Sequence, residues 1–369
     1  MEMIKKISPA VLLLIVDILV ILLCFSWSGM FAVKKDTRFF VAQLNAYRGI
    51  LDAQDLSNLG VSDPVYYRGF KPLYSLASKV FYMLSPQGVM LLLNILFLFG
   101  LTFCAYYFFR NIDFEENYAV WGAIWMVVSF PMLKYGLSLV TDISGWFFMT
   151  ATLAVFFAGL RKNKLSYILY ASLIAFAGAM TKETGVLGAL FAGLYLLLNY
   201  KEWGVKETAK KVALLSFPFF ILYGAFSIWS HKMGQPSFMQ WYKYSSDIMW
   251  NDFHKFRYFV TNEFLAFHAL YLLSLFGFIL LIKNKIIVSR KWLSLMIAGL
   301  VPSLLILLWP VFYYRIMYIQ FAFFIPLALY AFKEISKREY KVFNIDLVKV
   351  IPFIPPLVSI ILFLLIKKN

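Results

Sequence analysis

Apolar runs of helix length recur along almost the whole chain, near 9–29, 87–109, 118–134, 143–160, 165–181, 184–200, 212–230, 264–282, 292–310, 316–332 and 348–366. Each is bounded by charged or turn-forming residues, and most approach the roughly 20 residues that cross a hydrocarbon layer ~30 Å thick. A soluble core has no room for so much apolar surface, since 62% of the residues are hydrophobic, only 15% are charged, and the mean hydropathy is +0.75. In lipid every backbone polar group needs an internal partner, which leaves helices or closed barrels. The runs lack the alternating ten-residue pattern of barrel strands. The chain is therefore predicted to be an all-α polytopic membrane protein of about eleven spans, without a soluble domain. The first run follows Lys5 and Lys6, as in a signal peptide, but it is about 20 residues long and ends in no small-residue cleavage site, so it is expected to remain as an anchor.

The net charge of +16 could suggest a nucleic-acid partner, but the Lys and Arg residues fall mostly in short clusters between apolar runs. These are Lys5 and Lys6; Arg161, Lys162 and Lys164; Lys201, Lys206, Lys210 and Lys211; Lys283, Lys285, Arg290 and Lys291; and Lys333, Lys337, Arg338 and Lys341. With the eleven spans above, all fall on one side of the membrane. The positive-inside rule makes that side cytoplasmic, with the N-terminus inside. The 110–117 loop dissents mildly, with Arg110 against Asp113, Glu115 and Glu116, but acidic residues count little in this rule. No nucleic-acid partner is expected. Cys24 and Cys104 lie inside apolar runs, and His231, His254 and His268 show no metal-ligand spacing with them, so neither a disulfide nor a zinc site follows.

Two long segments are then extracytoplasmic, at 30–86 and 231–263. In the first, Phe40, Leu44, Tyr47 and Leu51 recur at helical spacing, and after Pro72 a second stripe runs through Leu73, Leu76, Val80 and Leu84. Both predict short helices lying in the membrane interface. The second segment interleaves aromatics such as Trp241, Tyr242, Trp250 and Tyr258 with Lys243, Lys255 and Arg257, the composition of an interfacial belt. On this reading residues 1–230 form a catalytic membrane module of seven spans. Residues 231–369 add the second outer loop and the C-terminal spans.

Ionisable residues at helix ends sort onto the same outer face. Asp36 follows the first span, Lys71 stands before Pro72, Asp142 opens the fourth span, Lys182-Glu183 closes the fifth, and Arg315 opens the tenth. Each has an ordinary explanation taken alone. Asp142 suits a helix N-cap, Lys182-Glu183 a turn pair, Lys71 and Arg315 snorkelling side chains, and Asp36 a solvated charge. Their joint order and side point instead to a shared site.

In this arrangement the chain resembles the glycosyltransferase-C (GT-C) superfamily, especially the protein O-mannosyltransferases and the lipid A aminoarabinose transferases. Those families carry an acid just after the first span, as Asp36 in Lys35-Asp36-Thr37-Arg38, then two interfacial helices and a Lys-Pro element, as Lys71-Pro72-Leu73-Tyr74. A second acid begins the fourth span, as Thr141-Asp142-Ile143, and Thr181-Lys182-Glu183-Thr184-Gly185 is similar to a further family element. The resemblance covers residues 1–200 best, and the remainder by topology and the Tyr314-Arg315 pair. Thr37 departs from the mannosyltransferase pattern, which has Glu directly after the first acid, so that family's acceptor is not implied.

The resemblance implies an inverting single displacement from a polyprenyl-phosphate sugar donor, with a hexosyl or pentosyl group passing to a lipid, glycan or protein acceptor. Glycosyl transfer needs a base for the acceptor hydroxyl and positive charge at the leaving phosphate. With no well-placed His, Asp36 is the candidate base. Lys71 and Arg315 are candidates for the donor phosphate, and Arg68, Lys182 and Glu183 for supporting roles. Asp142 is a candidate to orient the acceptor or, with Asp36, to hold a divalent cation, which would be the one cofactor. No Gly-rich phosphate loop points to a nucleotide sugar. Two rivals stay open. A transporter or lipid flippase would place its ionisable groups near the midplane, and an O-antigen ligase or polymerase would carry its dominant outer loop late in the chain. The membrane itself is expected to be the plasma (inner) membrane.

Overall fold

The computed structural model describes residues 7–28, 37–47, 71–232, 242–243, 246–247, 250, 255–309, 313–337, 341–342 and 345–366. The principal helices are α1 (Pro9–Ser28), α2 (Thr37–Tyr47), α3 (Pro72–Val80), α4 (Pro86–Asn111), α5 (Glu116–Val127), α6 (Asp142–Lys162) and α7 (Leu165–Ala179). They continue as α8 (Leu187–Leu198), α9 (Val205–Lys232), α10 (Phe256–Lys283), α11 (Arg290–Leu304), α12 (Tyr314–Met317), α13 (Phe321–Ser336) and α14 (Ile354–Leu365). The fold is all-α. Among the described residues the one sheet is a hairpin pairing Lys341–Val342 with Ile345–Asp346.

Eight helices among the described residues are long and apolar enough to cross a membrane. Leu165–Ala179 and Glu183–Leu198 are shorter apolar helices, and α5 is shorter still. These short elements have local causes. The 118–134 run does not form one helix, because Pro131 lacks an N–H and crowds the preceding turn. α5 therefore stops at Val127, and a π-helical turn spans Met132–Gly136. α7 stops before a tight reversal in which Gly178 and Gly185 touch backbone to backbone, where a Cβ on Gly185 would lie 2.7 Å from Gly178 Cα. Irregular backbone at membrane depth is tolerated where protein covers it. The 128–141 stretch is buried almost throughout.

One expectation about the outer segments is corrected. α9 and α10 extend past their apolar runs, so the segment between them is shorter than 231–263, and Arg257, Tyr258 and Glu263 belong to α10. α9, 28 residues long, spans about 42 Å, which covers headgroup regions as well as hydrocarbon, whereas α10 is interrupted by non-helical backbone at His268. On α3, read as an interfacial helix, Leu76 and Val80 are exposed while Tyr74, Ser75 and Ser78 are buried. In lipid an apolar face gains nothing by packing inward, whereas polar side chains need partners inside the protein.

α4, α6 and α7 form one contiguous layer, α9 lies on α7, and α10 packs along α13, which also meets α5. The C-terminal helices are tied to the N-terminal ones by Trp146 of α6 stacked on Tyr318, with ring centroids 4.1 Å apart, and by Trp125 Nε1 donating to Pro352 O at 2.9 Å. α6 sets the scale of the bundle. Its 21 residues separate Asp142 from Lys162 by about 30 Å. Around the Lys162 end, Arg161 donates to Arg110 O, Lys333 pairs with Glu115, Lys291 pairs with Asp113, and Arg290 donates to Leu198 O. The basic residues Arg161, Arg290, Lys291 and Lys333 thus share one end of the bundle, and Asp142 stands at the other.

Candidate functional site

At the Asp142 end, side chains from four separate stretches meet. Lys71, immediately before α3, donates from Nζ to Glu183 Oε1 at 2.8 Å. Glu183 opens the 3-10 turn between α7 and α8. Its neighbour Lys182 places Nζ 3.4 Å from Asp142 Oδ1 and 3.8 Å from Glu183 Oε2. Those are ion-pair separations rather than direct charge-assisted hydrogen bonds, which close to about 2.7–2.9 Å. Arg315, on α12, reaches Asp142 Oδ2 from Nη1 at 3.3 Å. Lys71 and Asp142 are both only 4% exposed, so this is an interior network and not a set of snorkelling charges.

Asp142 does not act as a helix N-cap. Thr141 holds that position, and Asp142 lies in the first turn of α6 with its carboxylate between Lys182 and Arg315. The helix dipole still favours a negative charge there. The five side chains hold three cations, Lys71, Lys182 and Arg315, against two carboxylates, Asp142 and Glu183. Their sum is one positive charge.

The surrounding chain holds this geometry by means that the apolar pattern conceals. Asn94, within the long apolar run of α4, is fully buried; its Oδ1 accepts from Tyr74 Oη at 2.8 Å, and its Nδ2 donates to Ser138 O at 2.7 Å and Val140 O at 3.0 Å. One amide thus pins both α3, which follows Lys71, and the irregular approach to Asp142. Gly145 allows the Lys182 turn to lie against α6, because a Cβ there would sit 2.1 Å from Thr184 Oγ1 and 2.8 Å from Lys182 Cγ. Tyr135 and Tyr313 flank the Arg315 guanidinium at 5.4 and 5.7 Å from their ring centroids. Neither Asn94 nor the tyrosine pair was singled out from the sequence. An Asn in the middle of an apolar run was the available signal.

Of the sequence candidates, Lys71, Asp142, Lys182, Glu183 and Arg315 are brought together, and Asp36 and Arg68 lie outside the described residues. Among the described residues no group of three or more His, Cys, Asp or Glu side chains is placed to hold a metal ion. Asp142 alone makes no donor set for a divalent cation, since each of its oxygens faces a cationic side chain.

No protein-family model matches the chain, and no curated protein matches it in sequence. A similar architecture occurs in the solved structure of an oligosaccharyltransferase from Archaeoglobus fulgidus, tethered by a disulfide bond to an acceptor peptide containing the NVT sequon. The TM-score is 0.54 at 12% sequence identity, over 96% of this chain. This chain spans only about half of that protein, 54% of its length. The likeness is one of fold alone.

Proposed function

We propose that this chain is a membrane glycosyltransferase that takes a sugar from a polyprenyl-phosphate donor and passes it, with inversion, to a lipid, glycan or protein acceptor on the extracytoplasmic face. The observation that carries this reading is the convergence of Lys71, Asp142, Lys182, Glu183 and Arg315 at one end of a membrane bundle. The fold shared with the oligosaccharyltransferase is consistent with it. The orientation rests on the basic loops at the opposite end, which the positive-inside rule assigns to the cytoplasm.

In the proposed reaction the acceptor oxygen attacks the anomeric carbon from the face opposite the phosphate. The bond between that carbon and the phosphate oxygen breaks, and its electron pair stays on the phosphate. Asp36 takes the acceptor proton. Lys71, Lys182 and Arg315 meet the charge that grows on the leaving phosphate, an interaction stronger in the transition state than in the ground state. Asp142 and Glu183 hold those cations in place before the donor arrives, so little reorganisation is left for the reaction itself. The polyprenyl tail lies along lipid-facing helices while its phosphate reaches the cluster. The sugar transferred is a hexosyl or pentosyl unit.

Purified protein in proteoliposomes, supplied with a radiolabelled sugar on polyprenyl phosphate and an extract of envelope acceptors, is expected to release the lipid phosphate and label an acceptor. Asp36→Asn should slow transfer by roughly 10²–10⁴-fold with folding intact. Transport of the labelled compound into the vesicles with no glycosidic transfer would replace this reading with the transporter.

A further inference from the structure

Arg315 sits in the first turn of the continuous helical span Tyr314–Ser336, and the structure shows what holds that turn. α12 passes without a break into a 3-10 turn, Tyr318–Gln320, and then into α13 at Phe321. The span fixes the general position of Arg315, but the first N–H groups of a helix lack intrahelical acceptors and the 3-10 turn alters the α-helical register. Two consecutive residues of α10 bind this end of the span. Asn262 Oδ1 accepts from the Tyr314 backbone N–H at 3.0 Å, while its Nδ2 donates to Tyr258 O at 2.6 Å, one turn back on α10. Glu263 Oε1 accepts from Gln320 Nε2 at 2.6 Å. Asn262 and Glu263 are each 7% exposed, and Gln320 is 5% exposed.

The two bonds grip the segment on either side of Arg315, at Tyr314 and at Gln320. One bond would leave a pivot, whereas two fix both translation along α10 and rotation about the segment's axis. The Tyr318 ring, stacked on Trp146, closes the third side against α6. Burying an Asn and a Glu at this depth costs free energy that apolar residues would not, and the best-attested return on such a cost is a specified register.

Resting on the lipid-phosphate reading above, we propose that Asn262 and Glu263 are positioning residues that hold the Tyr314–Gln320 segment where Arg315 meets both Asp142 and the donor phosphate. They touch neither substrate nor reacting atoms, and act through Arg315.

The test uses the full chain in detergent with undecaprenyl monophosphate as the probe. Asn262→Ala is expected to weaken binding about tenfold, and Arg315→Ala at least as much. Asn262→Asp keeps the acceptor for Tyr314 N–H but loses the donor to Tyr258 O, and should weaken binding less than Asn262→Ala does. In an Arg315→Ala background, Asn262→Ala should add less than about twofold, because the group it positions is already gone. An equal loss from Asn262→Ala in both backgrounds overturns the proposal and assigns Asn262 a general packing role. The register is also readable without any ligand, as the rate at which a maleimide labels Arg315→Cys. Asn262→Ala should change that rate several-fold, and an unchanged rate overturns the clamp. If the labelling behaves as expected while folded wild-type protein binds no undecaprenyl monophosphate, the clamp stands and the lipid-phosphate reading fails.

Discussion

Replacing Asp142 by Asn leaves Lys182 and Arg315 facing an uncharged amide and raises the charge of the five-residue cluster from one positive unit to two. Removing one partner of a fully buried ion pair costs about 3–5 kcal/mol, chiefly because the remaining charge is stranded. Here the Lys182 and Arg315 side chains keep 17% and 15% of their surface exposed, and water screens part of the penalty. The expected loss of stability is therefore roughly 1–3 kcal/mol. A second substitution, Lys182→Met, removes a cation of similar length and restores the original net charge. It should recover about half of that loss or more, since no charge is stranded in excess. Catalysis should not recover, because the double variant has lost a partner for the leaving phosphate; a rate about 10–10²-fold below wild type is expected. Thermal melting followed by intrinsic tryptophan fluorescence, run beside the sugar-transfer assay, measures both quantities. If the double variant is less stable than Asp142→Asn by the full cost of Lys182→Met alone, the two side chains do not share a buried field and the electrostatic account is wrong.

Asn94→Ala should lower the melting temperature, because it strands the Tyr74 hydroxyl and the Ser138 and Val140 carbonyls in the interior; three unmade bonds correspond to a loss of roughly 2–4 kcal/mol. A denaturation profile matching wild type would show that those groups find other partners. Gly145→Ala pushes a methyl into Thr184 and the Lys182 stem, so transfer should fall by about tenfold or more, with a stability loss of about 1–3 kcal/mol from overpacking; undiminished turnover would mean that the Lys182 turn does not need its close seat on α6. Single cysteines at 142 and 162 occupy opposite ends of α6, and in the proposed orientation an impermeant reagent added outside sealed cells should label only the first. Labelling of position 162 alone would invert the topology and move the site to the cytoplasm.

The helical order was legible in the sequence because lipid imposes a length rule on every span, and the apolar runs form helix at or near their expected places except 118–134, which breaks after Val127. Charges at the ends of those runs were conspicuous for the same reason, and so Lys71, Asp142, Lys182, Glu183 and Arg315 could be named before their contacts were known. Their pairing could not. Lys71 could have paired with Asp142 as readily as with Glu183, which lies 112 residues away in the chain, and only the tertiary placement of Lys71 beside the α7–α8 reversal selects the latter. Periodicity marked the apolar face of α3, on which Leu76 and Val80 are exposed, but not the polar face of Tyr74, Ser75 and Ser78 that the protein buries. Asn94, Asn262 and Glu263 acquire meaning through the carbonyls, the backbone N–H and the amide they satisfy on other elements. Solvent and bilayer dictate the length and order of spans locally, residue by residue. The partner of a buried polar group is settled only when distant segments close around it.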